Sequence, residues 1–217
     1  AGEVDLFPGG WFGGVEQVLY LSDKEFTAAD PATGKKLWGF PASQVRTGMP
    51  ATQPHLISPN EVMIAFSEAG GTMLLNVAPG AEGKEWSVEP KWQSRDLKPY
   101  FNDYVRYEDA VYGFDGNIFA CVDLKTGKEL WTTKETFGKY WSLVANGDRI
   151  LALDQRGSLY LFKANPGQFE LIDHPGQSSF AFGDRQAAGG PGDAGHAPAA
   201  DLADFFGEFD VVLPKDG

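Results

Sequence analysis

The sequence predicts an all-β fold of the β-propeller type: about four blades of four antiparallel strands forming an incomplete ring, followed by a flexible C-terminal tail. Three observations carry that expectation. An eleven-residue phrase is spelled twice, Ala28-Ala29-Asp30-Pro31-Ala32-Thr33-Gly34-Lys35-Lys36-Leu37-Trp38 and Cys121-Val122-Asp123-Leu124-Lys125-Thr126-Gly127-Lys128-Glu129-Leu130-Trp131. Both copies read small-x-Asp-x-x-Thr-Gly-Lys-x-Leu-Trp. The turn glycines Gly34, Gly80, Gly127 and Gly167 are separated by 46, 47 and 40 residues, the length of one propeller blade. Before residue 200 no stretch carries strong helical periodicity, and short β-prone runs alternate with glycine-bearing turns.

Taken in order, the first blade has apolar strands at Gln17–Ser22 and Phe26–Ala29, the Thr33-Gly34 turn, and a strand at Leu37–Phe40. The second reads Glu61–Phe66, a Gly70-Gly71 turn, Thr72–Val77, a Pro79-Gly80 turn and Glu85–Val88, with Trp86 in its outer strand. The third has Ala110–Phe114, an Asp115-Gly116 turn, Asn117–Val122, the Thr126-Gly127 turn and the strand bearing Trp131. The fourth has Arg149–Leu153, a turn at Arg156-Gly157, Ser158–Phe162, a turn at Asn165–Gly167 and Phe169–Ile172. Asp-Gly and Gly-Gly pairs between β-prone runs are hairpin signals, because glycine adopts the positive φ that tight turns require. The remaining strand of each blade is expected to precede the other three, at Pro50–Leu56, Tyr100–Arg106 and Tyr140–Ala145.

Residues 1–173 thus form the repeat region and 174–217 a tail. From Arg185 to Ala200, 12 of 16 residues are Gly, Ala or Pro, too few large apolar groups to pack a core. Asp201–Phe206 and Phe209–Leu213 could supply a short helix or a returning strand with a docking role.

Composition narrows the function. The 217 residues include 42% hydrophobic and 22% charged side chains, as in ordinary globular proteins. With 18 Lys+Arg against 30 Asp+Glu the net charge is −12, which opposes unaided binding to nucleic acid or an anionic membrane. No apolar run is long enough to span a bilayer as a helix. Cys121 is the only cysteine, so an internal disulfide is impossible and the redox compartment is left open. The chain begins at Ala1 with no export signal, which fits either a processed protein or part of a longer one.

The repeated phrase has a physical reading. Asp30 and Asp123 can accept turn amides, Thr33 and Thr126 can bond back locally, and Gly34 and Gly127 permit the turn dihedrals. Trp38 and Trp131 can then lie flat across the turn of a neighbouring blade, burying on the order of 200 Å² each. Stacking of these indoles on a ligand is the weaker reading, because the motif recurs around a ring whereas a ligand site occurs once. Cys121, on an apolar strand, reads as a small buried hydrophobe. His55, His174 and His196 are isolated, with no second ligand at metal spacing, so no metal site is expected. No catalytic motif of the Ser-His-Asp, phosphate-loop or zinc type is present, so no catalytic residue is assigned. The acidic and basic residues between Glu82 and Asp109 read as a solvated face.

The pattern Ala-x-Asp-x-x-Thr-Gly-x-x-x-Trp resembles the tryptophan-docking motif of pyrroloquinoline-quinone-type (PQQ-like) β-propellers. Residues 28–38 match every named position, and the second copy departs only at Cys121. Together with Leu97–Asp103 and Tyr112–Asn117, the segment from about Val15 to Asp173 is similar to bacterial PQQ-binding-like β-propeller repeat proteins. The resemblance implies a ring of seven or eight blades, with those missing here lying N-terminal to Ala1, and a periplasmic or otherwise extracytoplasmic location. It also implies two functions. One is a non-catalytic scaffold offering loops to a protein partner or small ligand, as the outer-membrane assembly lipoproteins of this superfamily do. The alternative is a fragment of a PQQ-dependent alcohol or sugar dehydrogenase, which would need calcium held by Glu, Asn and Asp oxygens and usually a pair of adjacent cysteines. The lone Cys121 rules out that pair, and Asn102 and Asp103, placed by sequence on an inner strand facing the channel, are the surviving candidates. The scaffold reading expects no cofactor.

Overall fold

The computed structural model describes residues 5–12, 14–22, 24–41, 52–66, 70–81 and 85–174. Among the described residues it contains sixteen strands and no helix. The first blade comprises β1 (Asp5–Phe12), β2 (Val15–Leu21), β3 (Glu25–Ala29) and β4 (Lys36–Pro41). The second comprises β5 (His55–Ser58), β6 (Glu61–Phe66), β7 (Gly71–Ala78) and β8 (Ser87–Ser94). The third holds β9 (Tyr104–Tyr107), β10 (Ala110–Asp115), β11 (Ile118–Asp123) and β12 (Glu129–Thr132). The fourth holds β13 (Trp141–Asn146), β14 (Arg149–Asp154), β15 (Leu159–Lys163) and β16 (Glu170–Asp173). Each blade is an antiparallel meander paired in chain order, and the four sheets do not close into a ring. The leading strands β9 and β13 approach one another across the third and fourth blades.

The strand sequences explain the stacking. Successive side chains of a strand point to opposite sheet faces, so a strand covered on both sides reads as an unbroken apolar run. In β6, Val62, Ile64 and Phe66 join Leu19, Phe26, Trp38 and Phe40 of the first blade, while Met63 and Ala65 join Tyr104, Val111 and Val122 of the third. In β10 and β11, Val111, Ala120 and Val122 face the second blade, whereas Tyr112, Phe114, Phe119 and Cys121 face Trp141, Ile150, Ala152 and Phe162 of the fourth. There is therefore no single central core but three inter-blade layers, each large side chain contributing roughly 1.5–3 kcal/mol by leaving water. In β14 only Ile150 and Ala152 are buried in such a layer, and Leu153 is exposed.

Three sequence expectations are corrected in detail. The leading strands begin later than the β-prone runs suggested: β5 starts at His55 rather than Pro50, β9 at Tyr104 rather than Tyr100, and β13 at Trp141 rather than Tyr140. For β9 the cause is a turn, in which Tyr100 has φ +62° and the Asn102 N–H donates to the Pro99 carbonyl at 2.8 Å. Asn102 and Asp103 consequently sit ahead of the inner strand, not on it. Trp86 precedes β8 and packs at the edge of the layer between the first two blades. The expectations for the tail, including Asp201–Phe206 and Phe209–Leu213, fall at 175–217 and lie outside the described residues.

Candidate binding faces

In an antiparallel meander the turns alternate between two edges, so each blade presents two distinct loop sets. One edge carries the Thr-Gly turns. Asp30 Oδ1 accepts the N–H groups of Ala32 (2.8 Å) and Thr33 (2.9 Å), and the Gly34 N–H donates to the Asp30 carbonyl at 2.8 Å. The Thr33 N–H is the main reason the Asp30 carboxyl sits below its ordinary pKa. The second copy closes the same way: Asp123 Oδ1 accepts the Thr126 N–H (2.8 Å) and hydroxyl (2.7 Å), and the Gly127 N–H donates to the Asp123 carbonyl at 2.8 Å. Gly34 and Gly127 have φ +69° and +68°, a conformation that costs any residue with a Cβ.

The outer strand of every blade slips register by one residue, after Ala28, Leu74, Cys121 and Leu161. The slip sets Trp38 opposite Ala28, Trp92 opposite Leu74, Trp131 opposite Cys121 and Asp173 opposite Leu161. Trp92, not Trp86, is thus the second blade's counterpart of the two phrase tryptophans. Its ring lies over the third blade's turn so closely that a Cβ on Gly127 would fall 2.5 Å from Trp92 Cε3. The Trp92 indole N–H donates to the Leu124 carbonyl at 3.0 Å, across the blade boundary. Trp131 repeats this toward the fourth blade, donating to the Asn165 carbonyl at 2.9 Å and meeting Phe169 edge-on with centroids 5.9 Å apart. Trp38 is 4% exposed and packs in the layer shared with the second blade, yet its N–H donates to Gln17 Oε1 of its own blade at 2.6 Å. Cys121 is fully buried beneath Trp131, and burial pushes its thiol up to about 12, which keeps it protonated.

The opposite edge carries the second-to-third-strand turns and the connections between blades. Here Lys98, Tyr100, Asp115, Gly116, Asn117, Lys139 and Tyr140 line a hollow of about 430 Å³. Lys98 pairs with Asp115 at 2.6 Å, whereas Lys139 makes no ion pair among the described residues. Tyr100 meets Phe101 edge-on at 4.2 Å, and Phe101 and Tyr140 remain 39% and 46% exposed. A bulky residue with φ +62° is strained by roughly 1–2 kcal/mol. The turn holds because Asn102, fully buried, accepts the Trp141 N–H at 2.9 Å through Oδ1. That bond clasps the connection carrying Tyr100 and Phe101 to the one carrying Tyr140.

This use of Asn102 bears on the quinone–calcium reading. Its carbonyl oxygen is occupied by backbone and its amide nitrogen, also buried, has no hydrogen-bond partner among the described residues. Asp103 is half-buried, and desolvation raises its pKa. Among the described residues no three His, Cys, Asp or Glu side chains gather where a metal could sit. The nominated pair does not fit a calcium-held quinone, and no chemistry is derived through one. The sequence missed Trp92 because the second blade's hairpin is long: it lies twelve residues after Gly80, where Trp38 and Trp131 follow their glycines by four. It missed the hollow because its residues come from three separate connections, and only two exposed aromatics near turns hinted at it.

These blades, with their glycine turns and outer-strand indoles, define a PQQ-like β-propeller repeat protein. The chain belongs to the family described as outer membrane protein assembly factor BamB, whose profile matches residues 13–170. No curated relative matches the sequence. Among solved structures it is similar to BamB from Moraxella catarrhalis, at 13% identity and a TM-score of 0.40, covering 74% of this chain and 58% of that one. A protein of unknown function from Bacteroides caccae shares 11% identity with a TM-score of 0.49, over 79% of this chain and 61% of that one. Hsv2 of Kluyveromyces lactis shares 8% identity with a TM-score of 0.30, over 75% of each chain. The chain spans about three fifths of the length of the first two.

Proposed function

We propose that this chain is a non-catalytic propeller module that holds a protein partner at the edge bearing the hollow between the third and fourth blades. The observation that carries the reading is the pairing of exposed Phe101 and Tyr140 with a strained turn at Tyr100, all fixed by the buried Asn102. Aromatic rings kept in water on a rigid frame are the residues on which protein interfaces concentrate binding energy. The indoles of the other edge are already committed to neighbouring blades, which suits a supporting role. In this reading Trp38, Trp92 and Trp131 dock blade on blade and keep the binding edge in shape. Family membership supports a scaffold, and the outer-membrane wording of the family's description supports a location outside the cytoplasm.

A photo-reactive amino acid placed at Phe101, compared with one at Lys125 on the opposite edge, tests this. Discrete adducts are expected from position 101 only, and they should vanish with Tyr140→Ala. Equal labelling from both edges, or adducts indifferent to Tyr140, overturns the assignment of the edge.

A further inference from the structure

We propose that the hollow lined by Tyr100, Tyr140 and Lys139 is occupied in the full chain by the chain's own acidic, aromatic segment Asp201–Asp210. This rests on the reading above, since it names an occupant for the same surface. Three observations support it. The first is chemical match. Asp201-Leu202-Ala203-Asp204-Phe205-Phe206-Gly207-Glu208-Phe209-Asp210 carries four carboxylates, three phenylalanines and no lysine or arginine. The hollow offers two tyrosine rings, with Phe101 beside them, and a Lys139 ammonium that has no partner among the described residues. Lys98 is already neutralised by Asp115, so Lys139 sets the sign of the site.

The second is where the described chain ends. Strand β16 starts at the Asn165–Gly167 turn on one edge and so delivers Asp173 and His174 to the edge bearing the hollow. The His174 ring stacks on Tyr160 at 4.3 Å, nearly parallel, and Tyr160 meets Trp141 at 5.2 Å. Trp141 adjoins Tyr140 in the chain, so the departure point is two ring contacts from the hollow. The third is reach. The 26 residues of 175–200 separate this point from Asp201, a length of chain that can span at most roughly 90 Å. Such a tether gives an effective concentration of about 1 mM. A segment binding with a dissociation constant of about 0.1 mM is therefore mostly seated, a level that a few aromatic contacts with weak charge support provide.

Zero-length amine–carboxyl cross-linking of the dilute full-length chain, read by mass spectrometry, tests the proposal. A bond is expected between Lys139 and Asp204 or Glu208, lost in Phe205→Ser/Phe206→Ser and in Tyr140→Ala. In parallel, acetylation of Lys139 should speed up about tenfold in Phe205→Ser/Phe206→Ser, the ratio for a seated segment at that effective concentration. Cross-links scattered over many lysines, or Lys139 reactivity indifferent to the two phenylalanines, overturn it. Bonds only between isotopically heavy and light copies also overturn the intramolecular form. These outcomes leave the partner-adduct experiment at Phe101 untouched, so failure of the inference is distinguishable from failure of the binding edge.

Discussion

The two copies of one phrase end differently. Gly34 and Gly127 have φ within a degree of one another, and both aspartates accept the N–H of the turn threonine. The indoles that follow diverge: Trp38 donates to Gln17 within its own blade, whereas Trp131 donates to the backbone of the next blade. The space above the glycines differs as well. A Cβ at Gly34 would meet nothing within 4 Å among the described residues, while one at Gly127 would strike Trp92. The turn is local chemistry and repeats wherever its residues repeat. What the tryptophan does depends on the blade it leans against, which the phrase does not encode.

Two pairs of substitutions sharpen that contrast. The largest effect is expected at the more buried indole: Trp38→Ala should cost about 3–5 kcal/mol, and the half-buried Trp131→Ala about half as much. Thermal denaturation of both variants checks this, and equal losses would mean that burial does not separate the two copies. The smallest effect is expected at the turns. Asp30→Ala and Asp123→Ala should each lower the melting temperature slightly and to a similar extent, since each removes two turn hydrogen bonds, from the Ala32 and Thr33 N–H groups at Asp30 and from the Thr126 N–H and hydroxyl at Asp123. Unequal losses in calorimetry would show that the turns are not equivalent after all.

How far the sequence could be read follows the same divide. The Thr-Gly turns were legible because Asp, Thr and Gly act within five residues of one another. The middle strands were legible because two-sided burial writes itself as runs such as Val62–Phe66 and Ala110–Phe114. The starts of β5, β9 and β13 were not, because they depend on long-range ties; Asn102 reaches Trp141 across 39 positions. Trp92 escaped notice because an extended hairpin shifted it away from the phrase spacing. The hollow is more remote still, since Lys98, Asp115 and Lys139 converge only after two blades have stacked.

The central claim is that an indole of one blade rests on the glycine turn of the next, and a double-mutant cycle on Trp92 and Gly127 tests it most directly. Alone, Gly127→Ala should cost about 1–2 kcal/mol for its backbone strain and a further 1–3 kcal/mol for its collision with the ring. In the Trp92→Ala background the second part should vanish, leaving the cost of Gly34→Ala, so that the coupling is about 1–3 kcal/mol. If the two substitutions add without coupling, Trp92 does not bear on that turn and the account of blade stacking fails.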